Sequence, residues 1–131
     1  MIVIDASVLL ELLLRTPSAE AVERRLFGGP QESVHAPHLV DVEVTQVLRR
    51  YSASGEIDEE RGRAALADLA DFPIRRYPHD LLLMRVWELR NNFTAYDGVY
   101  VALAEALAAP LLTRDRRLAA AARRHASVEL M

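Results

Sequence analysis

Neither cysteine nor lysine occurs anywhere in this chain of 131 residues. Without cysteine there is no disulfide framework and no thiolate metal site. All 16 basic residues are arginine, as a GC-rich coding sequence favours, so any mechanism that needs a catalytic amine is excluded. No apolar run reaches the ~20 residues of a membrane span. Asp5 and Glu11 interrupt the apolar N-terminus, and no basic stretch precedes it as in a signal peptide. Internal repeats, linkers and low-complexity segments are also missing. These absences lead to the expectation of one domain over residues 1–131, cytoplasmic and without a membrane partner.

What is present is ordinary for a globular chain: 51% hydrophobic and 27% charged residues. A chain of this length buries roughly two-thirds of its unfolded surface. The formal net charge is −3, but setting aside four acids held in a cation-binding pocket leaves +1. The mild acidity therefore does not argue against a nucleic-acid substrate.

The chain is organised around its first stretch, Met1 to Ser7. Ile2, Val3 and Ile4 are consecutive β-branched residues with no polar alternation, the pattern of a strand buried on both faces. The helical pattern of Val8 to Leu14 follows, so Asp5 stands at the carboxyl end of a strand, where open parallel sheets bind ligands. Thr16-Pro17-Ser18 then breaks the chain, with Ser18 expected to cap a helix from Ala19 to Phe27. Ser33 to Ala36 is a second strand, Leu39 to Ala53 a helix ended by Gly55, and Asp58 caps another that runs to Phe72. Ile74 to Tyr77 is a weaker strand, interrupted by two arginines. One helix is expected from Pro78 to about Asn91-Asn92, and Thr94 caps the next, from Ala95 to about Ala108. Leu111 to Thr113 is a fourth strand, Leu118 to Arg124 a helix, and Ser127 to Leu130 a last strand. This alternation predicts a three-layer α/β sandwich with a mostly parallel sheet of four to five strands.

Four acids stand out by position. Asp5 and Asp115 lie at strand ends on the same sheet edge. Glu43 sits on an apolar helix stripe, one turn from Val40 and Val47, and Asp97 lies in a first helical turn. Brought together, four carboxylates must protonate or hold a cation. With oxygen ligands only, the simplest partner is Mg²⁺ or Mn²⁺, which points toward phosphate-ester chemistry. Thr113 and Ser7 stand beside the same edge, placed to fix a ligand water or orient a carboxylate. Each acid also has a purely structural reading. Glu43 and Asp97 suit a helix dipole, and Asp5 and Asp115 suit an N-cap. Both readings stay open at this point.

The stretches Ile4-Asp5-Ala6-Ser7, Pro37 to Val44, Thr94 to Glu105 and Leu112-Thr113-Arg114-Asp115 together resemble the PIN-domain ribonucleases, specifically the VapC toxins of toxin–antitoxin pairs. The resemblance spans nearly the whole chain. It implies that Asp5, Glu43, Asp97 and Asp115 form a Mg²⁺ or Mn²⁺ site supported by Thr113 and Ser7. Asp41 points away on its helix and is left out. The implied activity is endonucleolytic cleavage of RNA by in-line attack of water, with 5′-phosphate and 3′-hydroxyl products. Arg114, Arg116 and Arg117 are expected phosphate contacts or, equally, a solvated helix start. The four histidines have no metal spacing. The resemblance also implies a homodimer and a cognate antitoxin that brings an arginine near the acids. Leu9, Leu10, Leu13, Leu14, Met84 and Trp87 are candidate contact residues, most of them expected in the core.

Haloacid-dehalogenase-type phosphatases and response-regulator receivers also gather acids at strand ends. Both rely on lysine, and the former places an Asp where this chain has Ser7. Two further alternatives are an antitoxin-binding module with little nuclease activity and a nuclease acting on DNA. A purely binding role leaves four acids at one edge without a reason. The number of metal ions is left open, and removing a clustered acid is expected to raise metal-free stability.

Overall fold

Three consecutive β-branched residues with none exposed need cover on both faces, and Ile2–Ile4 (β1) finds it at the centre of a sheet. The computed structural model describes residues 1–131. The other strands are Val34–Pro37 (β2), Ile74–Tyr77 (β3), Leu111–Thr113 (β4) and Val128–Leu130 (β5). They form a five-stranded sheet in the order β3-β2-β1-β4-β5. Every neighbouring pair is parallel, with Val3 registered against His35 on one side and Leu111 on the other. The arginine-bearing β3 is an edge strand, where Arg76 is free to pair with Asp41 at 2.8 Å and with the Leu69 carbonyl at 3.0 Å.

The helices are Ala6–Leu13 (α1), Ala19–Phe27 (α2), Leu39–Ala53 (α3), Glu59–Asp71 (α4), Leu83–Glu88 (α5), Ala95–Leu107 (α6) and Arg116–Ala122 (α7). The connections β1→β2→β3 step one way along the sheet, and β3→β4→β5 step back the other way. Right-handed crossovers then put α1–α4 on one face and α5–α7 on the opposite face. Accordingly α1 packs on α2, α3 and α4, while α6 lies against β1, β2 and β4. The layers share one core cluster of 31 buried residues. Gly98, in the first turn of α6, lets α5 come close: a Cβ there would lie 3.3 Å from Val86. Gly55, at φ +79°, supplies the left-handed turn that ends the α3 segment.

Three expectations need correction. Ser18 precedes α2, but its backbone is already helical and its side chain caps nothing. An N-cap hydroxyl needs an extended backbone to reach back to the helix amides. The single helix after Pro78 is instead a 3₁₀ turn, Asp80–Leu82, followed by the short α5, closing at Leu89 rather than at Asn91-Asn92. Only Leu82, Val86 and Leu89 form an inward stripe there, so consecutive leucines overstated the helix. For the same reason Leu81, Leu83, Met84 and Trp87 are exposed, and Arg90 lies 4.6 Å over the Trp87 ring. By contrast Leu9, Leu10 and Leu13 are core. The last helix begins at Arg116, two residues earlier than its apolar pattern, because Asp115 caps it.

Candidate metal centre

The strand order reverses between β1 and β4, and a crevice opens outside their carboxyl ends. The residues that follow these strands are tied together through one carboxylate. Asp5, only 6% exposed, accepts through Oδ1 from the Ser7 hydroxyl (2.5 Å) and the Val8 amide (3.2 Å). Its Oδ2 accepts from the Thr113 hydroxyl at 2.5 Å. The same two hydroxyls then accept backbone amides of the loop after β4, Arg114 N–H to Ser7 Oγ at 2.9 Å and Asp115 N–H to Thr113 Oγ1 at 3.0 Å. Burial pushes the Asp5 carboxyl up, and the hydrogen bonds from Ser7, Thr113 and Val8 offset only part of that.

Asp115 caps α7 through Oδ1, which accepts from Arg117 N–H at 2.8 Å and Leu118 N–H at 3.0 Å. The capping reading of Asp5 and Asp115 is therefore correct as far as it goes. It coexists with their meeting in one cleft. Thr94 caps α6 through the Asp97 amide at 3.1 Å and so sets Asp97 in the first turn. Burial raises the Asp97 carboxyl, helped by the charges of Asp115 and Asp5.

Glu43 reaches the same cleft from α3. Its Oε1 is buried without a hydrogen-bond partner, as is the Tyr100 hydroxyl. Burial pushes the Glu43 carboxyl up to about 7, with the charges of Asp5 and Asp97 adding to it, although the nearby phenol of Tyr100 pulls it down somewhat. Tyr100 is in turn raised by burial and by the acids around it. All four acids line a cleft of about 330 Å³ together with Ser7.

Four further lining residues with polar groups were not singled out as site residues from the sequence: Glu11, Arg50, Tyr51 and Tyr100. The signal was there for two of them, since Arg50 and Tyr51 fall seven and eight residues after Glu43 on one helical stripe. Arg114 also lines the cleft, its guanidinium held by Glu11 at 3.2 Å. Arg117 lines an adjoining hollow with Asp97 and Asp115, whereas the exposed Arg116 lines neither. Asp41 turns away to Arg76, and His35 is buried between Ser33 and Tyr77, so neither belongs to the site.

The donor set suits a hard divalent ion. It is all oxygen, burial and then the neighbouring acid charges raise the Glu43 and Asp97 carboxyls, and one buried carboxylate oxygen is orphaned. As the side chains stand, no three acids or histidines converge on a common ligand point. Both oxygens of Asp5 face hydroxyl and amide donors.

The family model described as PIN domain matches residues 2–124. Ribonuclease VapC12 of Mycobacterium tuberculosis is 43% identical over 131 residues, which is 100% of this chain and 99% of that protein. Among solved structures, M. tuberculosis VapC20, a sarcin-ricin loop cleaving toxin, superposes with a TM-score of 0.71 at 18% identity, over 92% of this chain and 95% of that one. A toxin–antitoxin complex from Klebsiella pneumoniae gives 0.61 at 19% identity, over 88% and 87%. At those identities the two structures speak to the fold.

Proposed function

Because the chain belongs to the PIN-domain family, on its VapC branch, we propose that it is a divalent-metal-dependent endoribonuclease, the toxin of a toxin–antitoxin pair. The observation that carries this reading is the convergence of Asp5, Glu43, Asp97 and Asp115 on one cleft, with a carboxylate oxygen of Glu43 buried and unpartnered. Such a cluster is unfavourable for folding alone and becomes favourable around a cation. Bound there, Mg²⁺ or Mn²⁺ supplies the positive charge and the water activation that phosphodiester hydrolysis requires.

The chain's own residues have separable tasks. Asp5, Glu43, Asp97 and Asp115 are the ligands. Ser7 and Thr113 fix the rotamer of Asp5 by donating to its two oxygens, and the amides of Arg117 and Leu118 do the same for one oxygen of Asp115. Glu43, whose carboxyl burial pushes up to about 7 before any cation is bound, would give up its proton as it joins the ligand set. No 2′-hydroxyl is required, so the products are a 5′-phosphate and a 3′-hydroxyl.

The proposed setting is cytoplasmic, with the PIN fold as a single domain. No helix is long and apolar enough to cross a membrane. The proposed protein partners are a cognate antitoxin and a second copy of the chain, whose exposed Leu81, Leu83, Met84 and Trp87 offer an apolar face to pack. An arginine brought to the acids by the antitoxin would compete with the cation for them.

The test is incubation of the purified chain, freed of any co-purifying partner, with RNA in Mg²⁺ or Mn²⁺. Discrete cleavage that disappears with EDTA and with Asp97→Asn is the expected result. Cleavage that persists in EDTA, or at the parent rate in Asp97→Asn, would overturn the assignment.

A further inference from the structure

Two hollows adjoin at the carboxyl edge of the sheet, of about 330 and 390 Å³, and they share Asp97, Asp115 and Leu118. One contains Asp5, Glu43 and Arg50; the other contains Arg117 and reaches back to Thr94 at the start of α6. The acids thus form a divide with a cation on each side. Those cations differ from the arginine between them. Arg114 is already neutralised by Glu11, whereas neither Arg50 nor Arg117 enters any ion pair of the molecule. Arg50 and Glu43, seven residues apart on one face of α3, are separated by about 10 Å along the helix axis.

Resting on the ribonuclease reading, we propose that the substrate is a single RNA strand lying across Asp97 and Asp115, one of its phosphates held by Arg50 and another, beyond the acids, by Arg117. A polyanion cannot be retained by the acid cluster itself. Its affinity has to come from phosphate contacts on either side of the bond that is cut. Each hollow has the volume of a small-ligand site, which suits nucleotides entering singly. Tyr51, half-buried in the first hollow, offers a ring on which the base next to the Arg50-held phosphate stacks.

The experiment measures affinity and cleavage separately on Mg²⁺-loaded protein. Fluorescence anisotropy gives Kd for a labelled single-stranded RNA and for its duplex at several salt concentrations, and steady-state assays give KM and kcat. Arg50→Ala and Arg117→Ala are each expected to weaken strand binding and raise KM roughly tenfold, to leave kcat within about threefold, and to lower the salt slope by about one. Arg24→Ala, on the distant α2, is expected to match the parent. The duplex is expected to bind more weakly than the single strand.

Unchanged Kd in both variants, or equal affinity for duplex, would overturn the strand path even if the parent cleaves RNA. Loss confined to kcat would overturn it as well. Absence of cleavage by the parent would instead remove the nuclease reading, while the binding data still decide the path. Binding of a labelled polyglutamate, without RNA binding, would overturn the strand path in favour of an acidic protein segment.

Discussion

The hydroxyl of Tyr100 lies beside Glu43 at the floor of the cleft, and neither that hydroxyl nor Glu43 Oε1 has a hydrogen-bond partner. A carboxylate with one oxygen buried and unpartnered is costly when ionised. The Glu43 carboxyl, pushed up to about 7 from 4.5, therefore weakens the metal-free fold as it loses its proton. Its folded value is raised, so its stabilising share is complete below about pH 4.5 and is lost as the pH rises through about 7. Glu43→Gln removes that loss. In EDTA at pH 8 the variant is expected to be more stable than the parent by about 1–2 kcal/mol, a range reduced from the full shift because the group is only half-buried. At pH 4 the difference should vanish. Urea denaturation at the two pH values measures it.

Asp5 should behave differently, because its carboxylate caps α1 and receives the hydroxyls of Ser7 and Thr113. The sequence led to the expectation that deleting any clustered acid stabilises the metal-free protein. For Asp5→Ala the lost cap and the stranded hydroxyl lead to the opposite expectation. The variant loses a cap of about 1 kcal/mol and leaves the fully buried Thr113 hydroxyl without its acceptor. Asp5→Asn keeps an oxygen for the cap and removes the charge. Thermal melts in EDTA should rank Asp5→Asn at or above the parent and Asp5→Ala about 1–2 kcal/mol below it. Both are expected to lose RNA cleavage.

Local chemistry explains what was readable in advance. Ile2, Val3 and Ile4 could only be a doubly covered strand, and Asp58, Thr94 and Asp115 announce helix starts with side chains that do accept helix amides. The four acids could be picked out because each stood at an element start near apolar neighbours, and the fold brings all four to one cleft. What stayed hidden depends on residues far apart in sequence. Glu11 and Tyr100 join the cleft only once α1 and α6 are laid against the sheet, and the pairing of Arg114 with Glu11 spans most of the chain. The run Leu81 to Met84 misled because composition cannot say which leucines turn outward. Ser18 misled because a capping residue type does not secure the extended backbone a cap needs.

His35 should titrate below the ordinary imidazole value. Its ring is 1% exposed, with Nδ1 2.7 Å from the Tyr77 hydroxyl and Nε2 2.7 Å from the Ser33 hydroxyl. Burial lowers its pKa from 6.5, with the N-terminal amine and Arg75 adding to the effect. A depressed value means that its stabilising share is complete above about 6.5 and declines as the pH falls below that. This is opposite in sign to Glu43, so the two partly cancel in the parent. In Glu43→Gln the acid-side loss should emerge as a clear fall in stability between pH 7 and 5. Imidazole NMR should show a titration midpoint below the ordinary 6.5.

The exposed face around α5 makes a prediction about assembly. Met84 and Trp87 are 76% and 64% exposed, large apolar side chains that a solitary subunit would leave wet. Trp87→Glu places a charge at the centre of that face and is expected to shift the purified chain toward monomer in light scattering, with its melting temperature at low protein concentration unchanged. A parent that is monomeric at high concentration would rule out the dimer.

Metal should act as a folding ligand as well as a cofactor. In the metal-free protein Asp5, Glu43 and Asp97 are held above their ordinary carboxyl values by burial, with neighbouring acid charges adding to it for Glu43 and Asp97. A divalent cation relieves both effects and releases protons as it binds. At a hundredfold excess over its dissociation constant it adds about 2.7 kcal/mol to stability, which corresponds to a melting-temperature rise of several degrees. Asp97→Asn removes one ligand charge at the shared rim without disturbing the Thr94 cap, which binds the backbone amide of residue 97. That variant should fold normally and melt at or above the metal-free parent, yet show little of the Mg²⁺- or Mn²⁺-induced rise. Calorimetry in two buffers of different ionisation enthalpy should detect the proton release in the parent and its reduction in the variant. An equal metal-induced rise in parent and variant would take Asp97 out of the ligand set.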